Sequence, residues 1–269
     1  MLQSIENNCN LCHLIIVDRN STDQTQERAK TNIPSGKLRI IESDCNLALA
    51  RQMGISAVDT DVFAFVDSDV ELSQGWQSKM MAEMGLGKVG ALQGTEADPY
   101  DARDLNPETK DLLPLSAVGY RSILRHGLFN LVRGMTTQTL ILTELVRDWH
   151  PATSLTSFED YSLTQHVLNK GYRWVRAGGV VSAHHKYPEK GGNKFALVHD
   201  WYVWGGAGAR FSGIPTRLVL VNLFARVAGA SLRYLRRKIS LEQMLLITTM
   251  QLSILQGFLM SNRYLVKRR

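Results

Sequence analysis

Short apolar runs alternate with helical segments along the first seventy residues. The runs are HLIIV, LRIIE and VFAFV, and helices are predicted between them, one from about Thr22 and one over 46–58. Ser21 and Asn46 are residue types that begin helices well. Nearly continuous apolar strands connected by helices are typical of a parallel sheet with helices on both faces. The pattern therefore predicts an α/β fold with a mostly parallel sheet.

The pattern continues less regularly beyond residue 70. We expect a helix near 75–84, a strand around 89–94, an irregular excursion over 98–131, a helix over 158–170 and a strand over 172–176. Gly171 is the expected C-cap of the fourth of these segments, because glycine adopts the left-handed conformation that ends helices. The stretch 191–213 mixes glycine with aromatic residues and has no period that assigns it.

Two further helices are predicted near 214–238 and 240–262. In the first helix, one stripe contains Asn222, Arg226, Arg233 and Arg237, so the helix is amphipathic. The second helix has no charge from residue 243 to residue 262. That length is sufficient to cross a bilayer, although three glutamines lower its hydrophobicity.

Charge is distributed unevenly along the 269 residues. The net charge is +6, yet from residue 217 onward ten lysines and arginines accompany one acid, Glu242. Basic residues that punctuate apolar helices favour an anionic membrane surface over nucleic acid. Spanning arrangements conflict with the positive-inside rule, so we expect the helices to lie at the cytoplasmic face of the membrane. Two buried core or oligomer-interface helices are the alternative.

These observations predict two parts, a catalytic domain over 1–212 and a basic, apolar, membrane-associating tail over 213–269. The 44% hydrophobic content is enough for one sizeable core with an appendage. Three cysteines are too few for a disulfide framework and fit a reducing compartment. Cys9 and Cys12 have metal-binding spacing, but no second Cys or His pair follows at a zinc-like distance. The oligomeric state is left open.

Two carboxylates follow the apolar run VFAFV at its carboxyl end. Asp67 and Asp69 are separated by one residue, and α/β folds bind ligands at this edge of the sheet. Carboxylate oxygens are the ligands that hard divalent cations prefer. The pair therefore indicates a site for Mg²⁺ or Mn²⁺ with a nucleotide.

Four segments together resemble the inverting glycosyltransferases of family 2, which have the GT-A fold. The segments are VDRNSTDQT at 17–25, NLALARQMGI at 46–55, FVDSDV at 65–70 and FEDYSLTQHVLNKGYRW at 158–174. They occur in the order that the family shows, and no single one is specific alone. The resemblance implies metal-dependent transfer of a sugar from a nucleotide-diphosphate sugar to a lipid-linked or polysaccharide acceptor.

The resemblance also implies roles for individual residues. The nucleotide sugar is expected to contact Asp18, Asn20, Arg51 and Asp67. Asp69 is expected to hold the metal with Asp67 and a histidine, for which His185 is favoured over His184. Asp160 is expected to be the catalytic base, and Glu159 is the neighbouring acid to compare with it.

Other interpretations of these residues remain open. Asp18 and Asp23 could cap a helix, and Glu159 with Asp160 could stabilise a helix N-terminus. Asp67 could be the nucleophile of a phosphotransferase, although no hydroxyl residue follows it at the required place.

The family begins with an apolar strand that has no counterpart here, because Leu2–Asn8 reads as the end of a helix. We expect its absence to expose the edge of the strand HLIIV and to reduce the nucleotide pocket. The true start could lie upstream, the gene could be clipped, or the chain could be a degenerate member. The alternative function is that of a catalytically impaired member that binds nucleotide sugars or acts as a scaffold.

Overall fold

The structure is a computed structural model of the chain, and it describes residues 2–10, 13–97, 109–152, 155, 157–185 and 193–261. The residues form two units, each described by itself. The first unit comprises Met1–Leu112, Gly134–Pro151 and Leu163–Lys186, and the second comprises Leu113–Arg133, Ala152–Ser162 and Tyr187–Arg269. These units are defined by contacts in space. The predicted division at residue 212 instead separates a catalytic part from a membrane-associating part, and it stays a prediction.

Strands and helices alternate through the first part of the chain, as the apolar runs predict. The elements are α1 (Leu2–Asn8), β1 (Leu14–Asp18), α2 (Thr25–Asn32), β2 (Leu38–Glu42), α3 (Leu47–Ser56), β3 (Val62–Val66), β4 (Val70–Glu71), α4 (Trp76–Met84), β5 (Val89–Ala97) and β6 (Lys110–Asp111). Asn46 caps α3 as expected, because its side chain accepts a hydrogen bond from the Leu49 N–H at 2.9 Å.

The rest of the chain is mainly helical. It contains α5 (Tyr120–His126), α6 (Leu128–Val132), β7 (Gln138–Leu142), α7 (Glu159–Asn169), β8 (Arg173–His184), α8 (Lys194–Phe211), α9 (Thr216–Leu235) and α10 (Leu241–Leu259). The stretch that the sequence left unassigned is the helix α8. The expected excursion over 98–131 lies partly outside the described residues, and the basic residues 263–269 lie wholly outside them.

Two sheets lie in the first unit. β1 and β2 form a parallel pair, and a six-stranded sheet has the order β3-β7-β5-β8-β4, with β6 paired to β8. The three long strands β3, β5 and β8 run in one direction, while β7 opposes both β3 and β5. The predicted α/β fold is confirmed. Among the described residues β1 pairs with β2 alone, so its other edge carries no strand.

Side chains of β8 reach two separate apolar clusters in the first unit. Trp174 packs with Leu163 and Val167 of α7, and the next residue, Val175, packs in the cluster that contains Trp76 of α4. Successive residues of a strand point to opposite faces, which explains this alternation. The C-terminal half of α7 is therefore anchored on one face of the sheet.

Helices form the core of the second unit. Leu128 of α6, Phe158, Ile214, Val219 of α9 and Phe258 of α10 belong to one buried cluster. The predicted tail helices therefore share a core with chain segments that precede them by about a hundred residues or less. Within the described residues one helix, α9, is long and apolar enough to cross a membrane, and 28% of its apolar segment is buried.

Helices α8 and α10 touch backbone to backbone. A Cβ atom added at Gly257 would overlap the carbonyl oxygen of Val203, and one added at Gly206 would overlap that of Ile254. Rigid backbone atoms cannot yield as a flexible side chain can. The glycines therefore set the spacing of this helix pair.

We predict opposite effects for two glycine to alanine substitutions in neighbouring helices. Gly257→Ala should lower the free energy of unfolding by about 1–3 kcal/mol, because overpacking forces the backbones apart. Gly229→Ala in α9, where an added Cβ meets nothing within 4 Å, should raise it by about 0.5–1 kcal/mol through helix propensity. Urea denaturation measures both. Equal effects would show that α8 and α10 are not in close contact.

Candidate active site

Asp18 is the last residue of β1. It is buried and accepts hydrogen bonds from residues that follow it in the chain. The Ser21 hydroxyl donates to its carboxylate at 2.5 Å, and Gln26 Nε2 donates at 2.7 Å. These two hydrogen bonds are the main causes that hold the pKa of Asp18 below its usual value, against burial, which acts to raise it. Asn20 lies exposed in the same loop with a left-handed φ of 53°. Contact of either residue with a nucleotide stays a prediction.

Arg51 and Asp67, predicted from separate segments, are brought together in the first unit. Arg51 Nη2 lies 3.5 Å from Asp67 Oδ1, and the Arg51 side chain is buried. Its guanidinium also lies 5.8 Å from the centre of the Phe65 ring, a favourable cation–π distance. The Asp67 N–H donates to the Thr137 carbonyl at 2.9 Å. Arg51 is thus fixed as a positive charge at the carboxyl end of β3.

Asp69 is paired with a histidine from β8. His184 Nε2 lies 3.1 Å from Asp69 Oδ2, and the His184 side chain is 10% exposed. The antiparallel register that aligns Val70 with His184 produces this contact. The sequence favoured His185, but the structure places His184 at Asp69 and His185 Nε2 2.9 Å from Glu71 Oε2. Adjacent histidines point to opposite faces, and the sequence does not reveal the strand register that distinguishes them.

The donor atoms at this edge fit a small divalent cation. Magnesium is usually held by one or two carboxylates together with substrate phosphates, and it rarely has a complete protein cage. Asp69 is about one third exposed, with an oxygen available at the same edge as the imidazole of His184. Among the described residues no group of three or more metal-ligating side chains is present. A metal would therefore share Asp69 and His184 with the oxygens of its substrate.

Asp160 belongs to the second unit and lies at the start of α7. Arg133 binds its carboxylate through two parallel bonds. Arg133 Nε donates to Asp160 Oδ1 and Nη2 to Oδ2, each at 2.7 Å. Parallel bonds of this kind fix the carboxylate plane as well as its position. Burial disfavours the charge of Arg133, but the attraction of Asp160 and its hydrogen bonds keep the pKa of Arg133 above its usual value. Glu159, beside Asp160, is also buried.

Aromatic rings pack around the ion pair of Arg133 and Asp160. The Arg133 guanidinium lies 4.6 Å from the centre of the Phe158 ring, which stacks on Tyr161 at 5.3 Å. Phe158 has a φ of 71°, a conformation that costs a residue other than glycine about 1–3 kcal/mol and is found often at functional sites. Burial raises the pKa of Tyr161 to about 12, so it stays neutral at physiological pH. The Arg133 guanidinium beside Asp160 is therefore held between the carboxylate and an aromatic ring.

Sequence reasoning missed Arg133. It precedes Asp160 by 27 residues, at no spacing that a helix or strand pattern reveals. Its neighbour Gly134 lies against Trp174, because an added Cβ there would overlap the Trp174 ring. No feature of the sequence singled out the arginine.

Residues 1–149 match the family model described as Glycosyl transferase family 2. This range is more than half of the 269 residues. A comparison with curated proteins finds no match.

Several solved structures share the fold. The mannosyltransferase PcManGT from Pyrobaculum calidifontis, in complex with GDP-Man and Mn²⁺, has a TM-score of 0.61 and 17% identity over 97% of this chain and 82% of that chain. S. aureus TarS 1–349 in complex with UDP has a TM-score of 0.51 and 15% identity over 96% and 87%. GalNAc-T7 with UDP, GalNAc and Mn²⁺ has a TM-score of 0.56 and 12% identity over 80% of this chain and 48% of that chain.

At these identities the similarity to solved structures shows only the fold. The match to the family model shows the family to which the chain belongs. The expectation drawn from the four segments is confirmed. The chain belongs to glycosyl transferase family 2, has a GT-A-like fold and is a glycosyltransferase.

Proposed function

We propose that the protein transfers a sugar, with inversion, from a nucleotide-diphosphate sugar to a lipid-linked or polysaccharide acceptor. The transfer depends on Mg²⁺ or Mn²⁺ and takes place at the cytoplasmic face of a membrane. The observation that carries the proposal is the pairing of Asp69 with His184 at the edge of the sheet where Arg51 meets Asp67. Donors to a metal and a buried cation are the features that a departing diphosphate requires.

Asp69 and His184 are the residues that would hold the metal. The metal, when bound, would neutralise negative charge on the diphosphate leaving group. Arg51 contributes a positive charge that does not depend on the metal, since its guanidinium is held between Asp67 and Phe65. Asp67 orients this guanidinium, and its side chain, which is 37% exposed, is the proposed contact for a ribose hydroxyl.

The donor class is supported by what related structures contain. PcManGT was solved with GDP-Man, and S. aureus TarS was solved with UDP and with UDP-GlcNAc. Different bases and sugars occur within this fold. We therefore propose a nucleotide-diphosphate sugar without assigning its base.

Asp160 is the proposed base for the acceptor hydroxyl. Asp160 is only 4% exposed. Two bonds from Arg133 and one from the Tyr161 N–H, which donates to Oδ1 at 2.8 Å, fix the position of its carboxylate. In the proposed reaction the acceptor hydroxyl gives its proton to this carboxylate. A general base must lie within hydrogen-bond reach of the proton it removes. Arg133 is then a positioning residue that acts through Asp160.

The metal site predicts a difference between the two neighbouring histidines. Adding Mn²⁺ with a nucleoside diphosphate at about a hundred times its Kd should raise Tm by about 5–10 °C, because the ligand binds only the folded state. Asp69→Asn should abolish the part of the shift that needs Mn²⁺, and His184→Gln should reduce it. His185→Gln is the matched control and should keep the full shift. A full shift in Asp69→Asn, or a loss confined to His185→Gln, would remove this pair from the metal site.

Turnover should separate Asp160 from its acidic neighbour. We expect Asp160→Asn to lower kcat for sugar transfer by about 10²–10⁴-fold, the usual contribution of a general base. Glu159→Gln should have a much smaller effect, and both variants should keep the Mn²⁺-dependent thermal shift. Product formation with a radiolabelled donor and a membrane-extract acceptor measures this. Equal turnover by the wild type and Asp160→Asn would instead favour a scaffold or binding role.

Because the Arg133 guanidinium makes two parallel bonds to Asp160, we predict that lysine cannot replace Arg133. Arg133→Lys keeps the charge but loses the two parallel bonds, so kcat should fall by about 10²-fold while KM for the donor is unchanged. Arg210→Lys in the same unit, where the guanidinium lies over Phe258, is the control and should leave kcat unaltered. A rise in donor KM with constant kcat would exclude the positioning role.

A further inference from the structure

Two members of the predicted polar stripe of α9, Asn222 and Arg226, face the protein. Asn222 is 3% exposed. Its Oδ1 accepts from the Leu128 N–H at 2.8 Å and its Nδ2 donates to Gln251 Oε1 at 2.9 Å. Arg226, on the same stripe, donates to the His126 carbonyl. The stripe that the sequence predicts is therefore present, and its members at positions 222 and 226 are hydrogen-bonded within the unit.

The opposite stripe of α9 is apolar and faces outward. Leu220, Phe224, Leu232 and Leu235 are exposed, and the exposed fractions reach 70% for Phe224 and 75% for Leu235. Spacings of four, eight and three residues place these side chains on one side of the helix. Leu218, Val219 and Leu223 of α9 are turned to the core, so the exposed stripe is a second apolar side, on which an amphipathic helix of a water-soluble protein usually has polar residues.

Helix α10 also has an exposed apolar stripe. The stripe consists of Leu241, Leu245, Leu252 and Leu259, all leucines at helical spacing. On its other sides Ile254 and Phe258 are buried together with the polar residues Gln251 and Ser253. Two adjacent helices of one unit thus bury an apolar side with a few polar groups and expose a second apolar stripe. The two exposed stripes are called the leucine face below.

Basic residues flank the leucine face. Arg217 lies in the first turn of α9, and Arg236, Arg237 and Lys238 lie in the connection to α10. All four are exposed. Glu242 is the only acidic residue from 213 to 261. An exposed apolar patch of this kind marks an interaction surface, and its partner must be apolar with a negatively charged rim. A second copy of the chain would bring like charges together, whereas an anionic bilayer has both properties.

We propose that the leucine face docks in the plane of an anionic lipid bilayer, with the basic connection at the headgroups. This inference rests on the proposed location at a membrane and is independent of sugar transfer. Docking from one side agrees with the polar groups of both helices being satisfied inside the protein. Leucines then enter the acyl boundary while Arg236, Arg237 and Lys238 contact phosphate.

Flotation of the full chain with lipid vesicles tests the charged part of the surface. Binding to vesicles of phosphatidylcholine with 30% phosphatidylglycerol, taken as about physiological anionic content, should exceed binding to phosphatidylcholine alone. The triple change Arg236→Gln, Arg237→Gln, Lys238→Gln should weaken binding by about a hundredfold, at about fivefold per charge. The control Arg28→Gln, Lys30→Gln, Lys79→Gln removes three exposed charges of the first unit and should leave binding unchanged. Equal losses in both triples would overturn the proposal.

The apolar part of the docking surface is tested with a double variant and a matched control. Phe224→Gln with Leu235→Gln should lower the vesicle partition coefficient at least about tenfold, because burial of two large side chains is lost. Leu86→Gln with Leu124→Gln changes two comparably exposed residues elsewhere and should have no effect. Unchanged Tm confirms that each variant is folded.

Three outcomes would contradict in-plane docking. One is undiminished vesicle binding by the Phe224 and Leu235 variant. Another is a wild-type dimer in sedimentation equilibrium without lipid that this variant converts to a monomer, since the face would then cover a second copy. Retention of the wild type in vesicles after alkaline carbonate extraction would indicate a spanning helix. Donor turnover in the absence of lipid is measured in parallel, so failure of docking is distinguished from failure of the proposed function.

Discussion

The pairing of β4 with β8 is the constraint on which the candidate metal site depends. β4 contributes only Val70 and Glu71 to this pairing, yet their register brings the His184 imidazole to Asp69. Successive strand residues face opposite sides of a sheet. If β4 and β8 slipped by one residue, His184 would turn away and lose its contact with Asp69. The buried positions that β8 occupies farther along, at Trp174 and Val175, oppose such a slip. Core packing thus determines which histidine stands beside the carboxylate.

The two units contribute different chemistry. The first unit carries charges suited to a diphosphate, with Arg51 held by Asp67 and with Asp69 paired to His184. The second unit carries a carboxylate held by two short bonds from Arg133 amid aromatic rings. In each unit a candidate site residue is paired with an arginine, Asp67 with Arg51 and Asp160 with Arg133. Such preorganisation is what electrostatic and acid–base catalysis require.

Local pattern was enough to predict some features and insufficient for others. The apolar run before Asp67 and Asp69 and the capping residue Asn46 are local signals, and both predicted elements are present. The choice between His184 and His185 depends on register, and Arg133 meets Asp160 through tertiary packing, so neither could be found from spacing. The polar stripe of α9 was visible in the sequence, but its orientation depends on Asn222 bonding to Leu128 and Gln251.

Nitrogen hyperfine coupling to bound Mn²⁺ tests the central claim most directly. Electron–nuclear double resonance of the full chain with Mn²⁺ and a nucleoside diphosphate reports whether an imidazole nitrogen is a ligand of the metal. One coupled nitrogen is expected in the wild type and in His185→Gln, and none in His184→Gln. A nitrogen coupling that survives in His184→Gln, or a wild-type spectrum without any, would contradict it.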